Sequence, residues 1–197
     1  VDIKKFIPVE ECMGIPIVML ASRMLWDKGV GEFVEAARIL KQEGVEARFV
    51  LTGENDSENP ASISNKQLNE WNKSDAVEWW GGKNNMHEIL TQACIVCLPS
   101  YREGLPKVLL EAASCGRPVI ATNVPGCREI VHNGENGILV PLKDSSSLAS
   151  AIKELINNPE KRKIMGNDGR KLVESEFSEE IVVSQTLEVY QELLNKC

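Results

Sequence analysis

The sequence of 197 residues has room for one generous domain or two small ones, and is far longer than a disulfide-stapled miniprotein. With 43% hydrophobic and 26% charged residues it has an ordinary globular composition, which argues against wholesale disorder, collagen and a polytopic membrane protein. The 22 Lys and Arg against 29 Asp and Glu leave a formal charge of −7, which argues against nucleic acid as a partner, because phosphate contacts supply most of that affinity.

In chain order, six short apolar runs read as strands: Ile17–Ser22, Ala47–Thr52, Val77–Trp80, Ile95–Pro99, Pro118–Thr122 and Ile138–Val140. Several are continuously apolar, as strands buried on both faces are. Between the first two, Val30, Phe33, Val34, Ala37 and Leu40 recur with helical spacing and Gly44 follows as a stop, so this segment is a βαβ unit. Asn55–Asn65 is a polar, turn-rich stretch that reads as a mobile loop. Leu148, Ala151, Ile152, Leu155 and Ile156 form another helical stripe, closed by Asn157-Asn158-Pro159. A third helical stretch covers about Pro159 to Glu174. From the cap residue Ser178 a last helix runs to Lys196, with Val183, Leu187, Tyr190 and Leu194 on one stripe suited to docking. The alternation predicts an α/β fold, a Rossmann-like doubly wound and mainly parallel sheet with helices on both faces, in a single domain.

The longest apolar runs, such as Ala93–Leu98, fall far short of the ~20 residues needed to span a bilayer. Six scattered cysteines (Cys12, Cys94, Cys97, Cys115, Cys127, Cys197) with no secretory signal before them point to a reducing cytoplasm. The first residues, Val1-Asp2-Ile3-Lys4-Lys5, hold no initiator Met, and the chain reads as a fragment.

Three places could carry chemistry. The segment Glu103-Gly104-Leu105-Pro106-Lys107-Val108 leads from a strand into a helix, with Pro106 suited to the first turn. Open α/β sheets bind ligands at such strand ends, where helix N–H groups favour phosphate; Lys107 and Val108 can donate there and Pro106 cannot. Glu111 interrupts an apolar stretch and has two readings: a surface pair with Lys107, or a carboxylate in the crevice that accepts sugar hydroxyls. Arg23 and Lys28 follow the first strand, and either are solvated loop residues or converge on a diphosphate.

Other features read as structure. Cys94-Ile95-Val96-Cys97 has zinc-like spacing but no second ligand pair and sits in a strand; Trp79-Trp80 reads as core; His87 and His132 have no evident catalytic partner.

Taken together, the segments resemble the C-terminal half of glycosyltransferase family 4, retaining enzymes of GT-B architecture. The resemblance rests on Ser22-Arg23-Met24 with Lys28-Gly29, on Trp80-Gly81, on Pro99 through Ala112, on Gly116-Arg117-Pro118-Val119-Ile120-Ala121-Thr122 and on Asn133 through Val140. Glu103 and Glu111 have the family's E-x7-E spacing. By that resemblance Arg23 and Lys28 hold a donor diphosphate with the amides of Lys107 and Val108, Glu111 binds the ribose, Glu103 faces the transferred sugar, and Gly82 and Lys83 take the base through backbone groups. Glu103, Arg23 and Lys28 are thus the implied catalytic residues, and Gly104, Leu105 and Pro106 belong to the implied substrate loop.

The resemblance further implies transfer with retained anomeric configuration from a nucleotide-sugar donor, a UDP-sugar ahead of a GDP-sugar, to a glycan or lipid-linked acceptor. It implies no cofactor and no metal, and the sequence has no Asp-x-Asp motif. Residues 1–197 would be a single donor-binding domain, inactive alone, whose N-terminal acceptor domain lies outside this chain. The whole enzyme would be cytoplasmic, with a peripheral association at the inner face of the membrane. The other reading is a non-catalytic nucleotide-sugar binding module. Two departures stand out: Ser22 replaces a common glycine and narrows the backbone's approach to phosphate, and Leu105-Pro106 removes one N–H from the loop.

Overall fold

The computed structural model describes residues 1–11 and 14–195; Cys12, Cys197 and the Lys196 end expected for the last helix lie outside them. Its centre is a six-stranded sheet, all parallel, of β1 (Ile17–Ala21), β2 (Arg48–Thr52), β3 (Glu78–Trp79), β4 (Ile95–Leu98), β5 (Val119–Thr122) and β6 (Gly137–Val140). The spatial order is β3-β2-β1-β4-β5-β6. All six expected strands are present, shorter by one residue at several ends, while β6 begins one residue earlier than expected.

Strand side chains alternate between two cores. Val18 and Leu20 of β1 face one core, with Phe49 and Leu51 of β2 and Ile95 and Cys97 of β4; Met19, Val50 and Val96 face the other. The first core is covered by α1 (Val30–Gln42), α2 (Asn65–Lys73) and α6 (Ser145–Ile156), through residues such as Phe33, Trp71 and Leu148. The second is covered by α3 (Met86–Leu90), α4 (Lys107–Ser114) and α5 (Pro125–Arg128), through Leu90, Leu109 and Cys127. Right-handed crossovers explain the division: the chain leaves β1 in one direction and β4 in the other, so the same hand puts their helices on opposite faces. The doubly wound fold read from the sequence is therefore the one observed.

The helix ends follow from sequence. Gly29 before α1 and Gly44 after it both have left-handed φ, at 72° and 73°. At α6 the Asp144 carboxylate accepts from Ser147 N at 2.8 Å, and Asn158 Oδ1 accepts from Lys161 N at 3.0 Å to open α7 (Pro159–Leu172), with Pro159 in its first turn. A π-helical turn, Val173–Phe177, then leads to Ser178, which caps α8 (Glu179–Leu194). The helical stretch expected to reach Glu174 thus changes character at Val173. No residue of α8 is buried, and Val183, Leu187, Tyr190 and Leu194 are 49% to 76% exposed.

Three expectations are corrected. Pro106 is the residue before α4, with extended backbone (φ −73°, ψ 105°), so Lys107 is the first helical residue. The Asn55–Asn65 stretch is tied down: Trp26 N donates to Ala61 O at 2.8 Å, Ile63 N to Met24 O at 2.9 Å, and Asn65 already begins α2. Trp79 and Trp80 are only half-buried, because β3 is an edge strand with one side open. The short helices α2, α3 and α5 were not legible, since nine, five and four residues give too few turns for a periodic signal. Among the described residues no helix is long and apolar enough to cross a membrane.

Candidate functional site

The strand order reverses between β1 and β4, and the loops leaving the carboxyl ends of these strands diverge there. Such a crevice is where open α/β sheets place ligands. A cleft of about 470 Å³ lies at this end of the sheet. It is lined by Ala21 at the end of β1 with Ser22 and Arg23 after it, Thr52 at the end of β2 with Gly53 and Glu54 after it, Gly82, Lys83 and Asn84 after β3, and Met86 of α3. Lys107, Val108 and Glu111 of α4 form the facing wall.

Helix α4 supplies donors. No side chain caps its amino end, Pro106 having no side-chain oxygen, so the N–H groups of Lys107 and Val108 have no partner within the helix. They stand at the cleft with the positive end of the helix dipole, an arrangement that attracts an anion.

Opposite polarity meets them on the same helix. Glu111 is half-buried and lines the cleft, and no ion pair joins it to Lys107 among the described residues, so the crevice reading of this residue fits the geometry. Burial raises its carboxyl above the ordinary range, with Lys107 opposing the shift. A carboxyl raised by folding favours the protonated native state, so its contribution to stability is full below the unfolded value and is lost as pH rises through the folded one. Glu111→Gln is accordingly expected to raise Tm at pH 7 and to leave it unchanged near pH 4. Equal Tm differences at both pH values, in a thermal melt series, would refute this account of Glu111.

The cations are placed differently from expectation. Arg23 Nη1 bonds Asp56 Oδ2 at 2.9 Å, yet 61% of its side chain is exposed and it lines the cleft. Lys28 is turned away from the cleft lining to Glu103, Nζ to Oε1 2.7 Å, with only 21% and 12% of the two side chains exposed. The two residues therefore do not converge directly; Lys28 and Glu103 instead tie the β1 loop to the β4 loop. Tyr101 N reinforces this by donating to Asp27 O at 2.8 Å. Tyr101 OH donates to Glu32 at 2.6 Å, and burial with that acceptor pushes the phenol up to about 12.

Of the residues singled out in the sequence, Arg23, Gly82, Lys83, Lys107, Val108 and Glu111 line one cleft. Glu103, Gly104 and Leu105 form the loop before α4, where Leu105 is 49% exposed and Pro106 is buried. Ser22 lines the cleft with its Oγ bonded to Arg23 O at 2.9 Å. Sequence reasoning missed Thr52, Gly53, Glu54 and Asn84, although their positions at the end of β2 and past β2 and β3 were a usable signal.

The features read as structure stay outside the site. Cys94 and Cys97 are buried in the core, and burial raises both thiols; it pushes Cys115 to about 12 and Cys127 to about 11. His87 Nε2 lies 3.3 Å from Ile7 O, and His132 Nδ1 3.6 Å from Glu135. Among the described residues no group of three His, Cys, Asp or Glu could hold a metal ion.

Comparison with known proteins places the chain in a family. Residues 4–172 match the family described as Glycosyl transferases group 1, and the chain belongs to that family. It is 34% identical over 179 residues to the N,N'-diacetylbacillosaminyl-diphospho-undecaprenol alpha-1,3-N-acetylgalactosaminyltransferase of Campylobacter jejuni, covering 91% of this chain and 45% of that protein. It is 29% identical over 188 residues to the capsular polysaccharide biosynthesis glycosyltransferase CapM of Staphylococcus aureus, covering 91% and 47% respectively. The chain thus spans about half the length of these relatives. Among solved structures, sucrose-phosphate synthase of Thermosynechococcus elongatus superposes with a TM-score of 0.88 at 28% identity, over 100% of this chain and 52% of that one. Anabaena HepE in complex with UDP shares the fold, with a TM-score of 0.83 at 20% identity over 99% of this chain and 56% of that one. Such neighbours are GT-B glycosyltransferase domains, whose Rossmann-like layering is the one described above.

Proposed function

We propose that this chain is the donor-binding half of a retaining family 4 glycosyltransferase, and that the cleft receives a nucleoside-diphosphate sugar. The observation that carries the reading is that Arg23 and the uncapped amino end of α4 share one cleft with the half-buried Glu111, at the point where the strand order reverses. The cations and amides suit a diphosphate, and Glu111 suits the ribose hydroxyls. Glu103 faces the sugar, and Lys28 leaves it to join the diphosphate.

We take the retained configuration from the resemblance to family 4: the donor loses its nucleoside diphosphate through an oxocarbenium-like state and the acceptor enters on the same face. Negative charge develops on the departing phosphate. Arg23, Lys28 and the helix amides meet that charge with groups already oriented, the electrostatic contribution that is usually the largest in such a step.

A uridine nucleotide is the first ligand to test, because HepE has been solved with UDP and with UDP-glucose, and a guanosine nucleotide the second. The relatives' names support a lipid-linked or glycan acceptor; a peripheral place at the inner membrane face belongs to the same proposal. The acceptor would enter through an N-terminal domain, which would also cover the exposed apolar side of α8. The test is calorimetric titration of the chain with UDP. Binding is expected, and Arg23→Ala should weaken it by about 1–3 kcal/mol, the range of charge-assisted hydrogen bonds. Absence of binding to either nucleotide, or affinity indifferent to Arg23, would sink the reading.

A further inference from the structure

Among the described residues two carboxylates at the cleft, Glu54 and Glu111, have no ion-pair partner, and the function proposed above gives Glu111 the ribose, which leaves Glu54 without a role. Asp56 holds Arg23 and Glu103 holds Lys28, whereas Glu54 lines the cleft and makes no ion pair among the described residues. Its place is set by the backbone: Met24 N donates to Glu54 O at 2.9 Å, Gly53 N donates to Gly81 O at 2.9 Å, and Trp79 Nε1 donates to Gly53 O at 3.0 Å. These bonds clamp the segments after β2 and β3 side by side. The Glu54 side chain then lies across Gly82, where a Cβ would stand 2.4 Å from both Cγ and Oε1 of Glu54. A side chain at position 82 would push the Glu54 carboxylate out of that corner.

An anion so placed cannot serve a diphosphate, because like charges at hydrogen-bond distance repel. The phosphates are drawn to Arg23 and the α4 amino end, and the Glu54–Gly82 corner is left for the far end of the nucleotide, the base. An ionised carboxylate only accepts hydrogen bonds, so it suits a base whose pairing edge carries a ring N–H. Uracil offers N3–H, and guanine offers N1–H beside an exocyclic amine. Cytosine and adenine present a ring-nitrogen lone pair instead. Their exocyclic amines sit on the neighbouring ring carbon, off the point where the ring N–H of uracil or guanine would meet the carboxylate.

We propose that Glu54 is a base-specificity residue, accepting the ring N–H of uracil or guanine across Gly82 and disfavouring cytosine and adenine. The proposal rests on the cleft binding a nucleoside diphosphate, as argued above.

The test is calorimetric titration of the wild-type chain, Glu54→Ala and Glu54→Gln with UDP, GDP, CDP and ADP. The wild type is expected to bind UDP and GDP at least tenfold more tightly than CDP and ADP. In both variants the ratio should fall below threefold. Glu54→Gln keeps the size of the side chain and decides the matter if Glu54→Ala does not fold. No base preference in the wild type, or a preference that survives both substitutions, would overturn the proposal. If UDP or GDP binds in an Arg23-dependent way with no influence of Glu54, the nucleotide site stands and the base-edge assignment fails. If none of the four binds, both fall together.

Discussion

Lys28→Ala is expected to weaken UDP binding by about 1–3 kcal/mol, roughly 5- to 150-fold, and to lower stability at the same time. The two effects have different origins. In the unliganded chain Lys28 is committed to Glu103 at 2.7 Å, and both side chains are largely withdrawn from water. Removing the lysine leaves the Glu103 carboxylate, 12% exposed, without its cation, and an orphaned group of that kind costs about 1–3 kcal/mol. Removing it also takes one positive charge from the diphosphate. The double variant Lys28→Ala/Glu103→Gln separates the terms: stability should return, because no buried charge is left alone, while UDP affinity stays low. Calorimetry showing wild-type affinity for Lys28→Ala would remove Lys28 from the donor site, and thermal melts show whether the ion pair mattered to the fold.

A large stability loss is expected for Gly29→Ala. Gly29 sits at φ 72°, and a Cβ there would stand 2.1 Å from Pro99 O and 2.6 Å from Pro99 C. These are backbone atoms that no rotamer change can move, so the β1 and β4 loops must separate, the Lys28–Glu103 pair with them. A left-handed non-glycine residue costs about 1–2 kcal/mol and overpacking typically another 1–3 kcal/mol, so a fall in Tm on the order of 10 °C is expected for a chain of this size. Gly44→Ala is the control. Its φ is 73° but nothing lies within 4 Å of the added carbon, so only the conformational part applies. Equal melting points for the two alanine variants would refute the close-approach argument.

Much of this was legible along the chain. The six strands, the helices that become α1, α4, α6, α7 and α8, and the Ser178 cap all come from patterns local to each segment, and local patterns survive being read in one dimension. Lys107, Val108 and Glu111 were singled out by their strand-to-helix junction, and Gly82 and Lys83 by the family resemblance alone; the structure brings all five to one cleft. What could not be read was partnership. Arg23 and Asp56 are separated by 33 residues, and Lys28 and Glu103 by 75. Nothing in either neighbourhood names the other.

By itself, then, the sequence determined the layer architecture, the order of its elements and the loops on which charged groups are carried, since propensity, periodicity and turn chemistry act within a few residues. The tertiary structure alone decided that β4 lies beside β1, that Lys28 is held by Glu103 while Arg23 stays at the cleft, and that Glu54 leans over Gly82. The physical reason is that strand order and burial set distances and desolvation between segments far apart in the chain, and those two quantities determine how each charge is used.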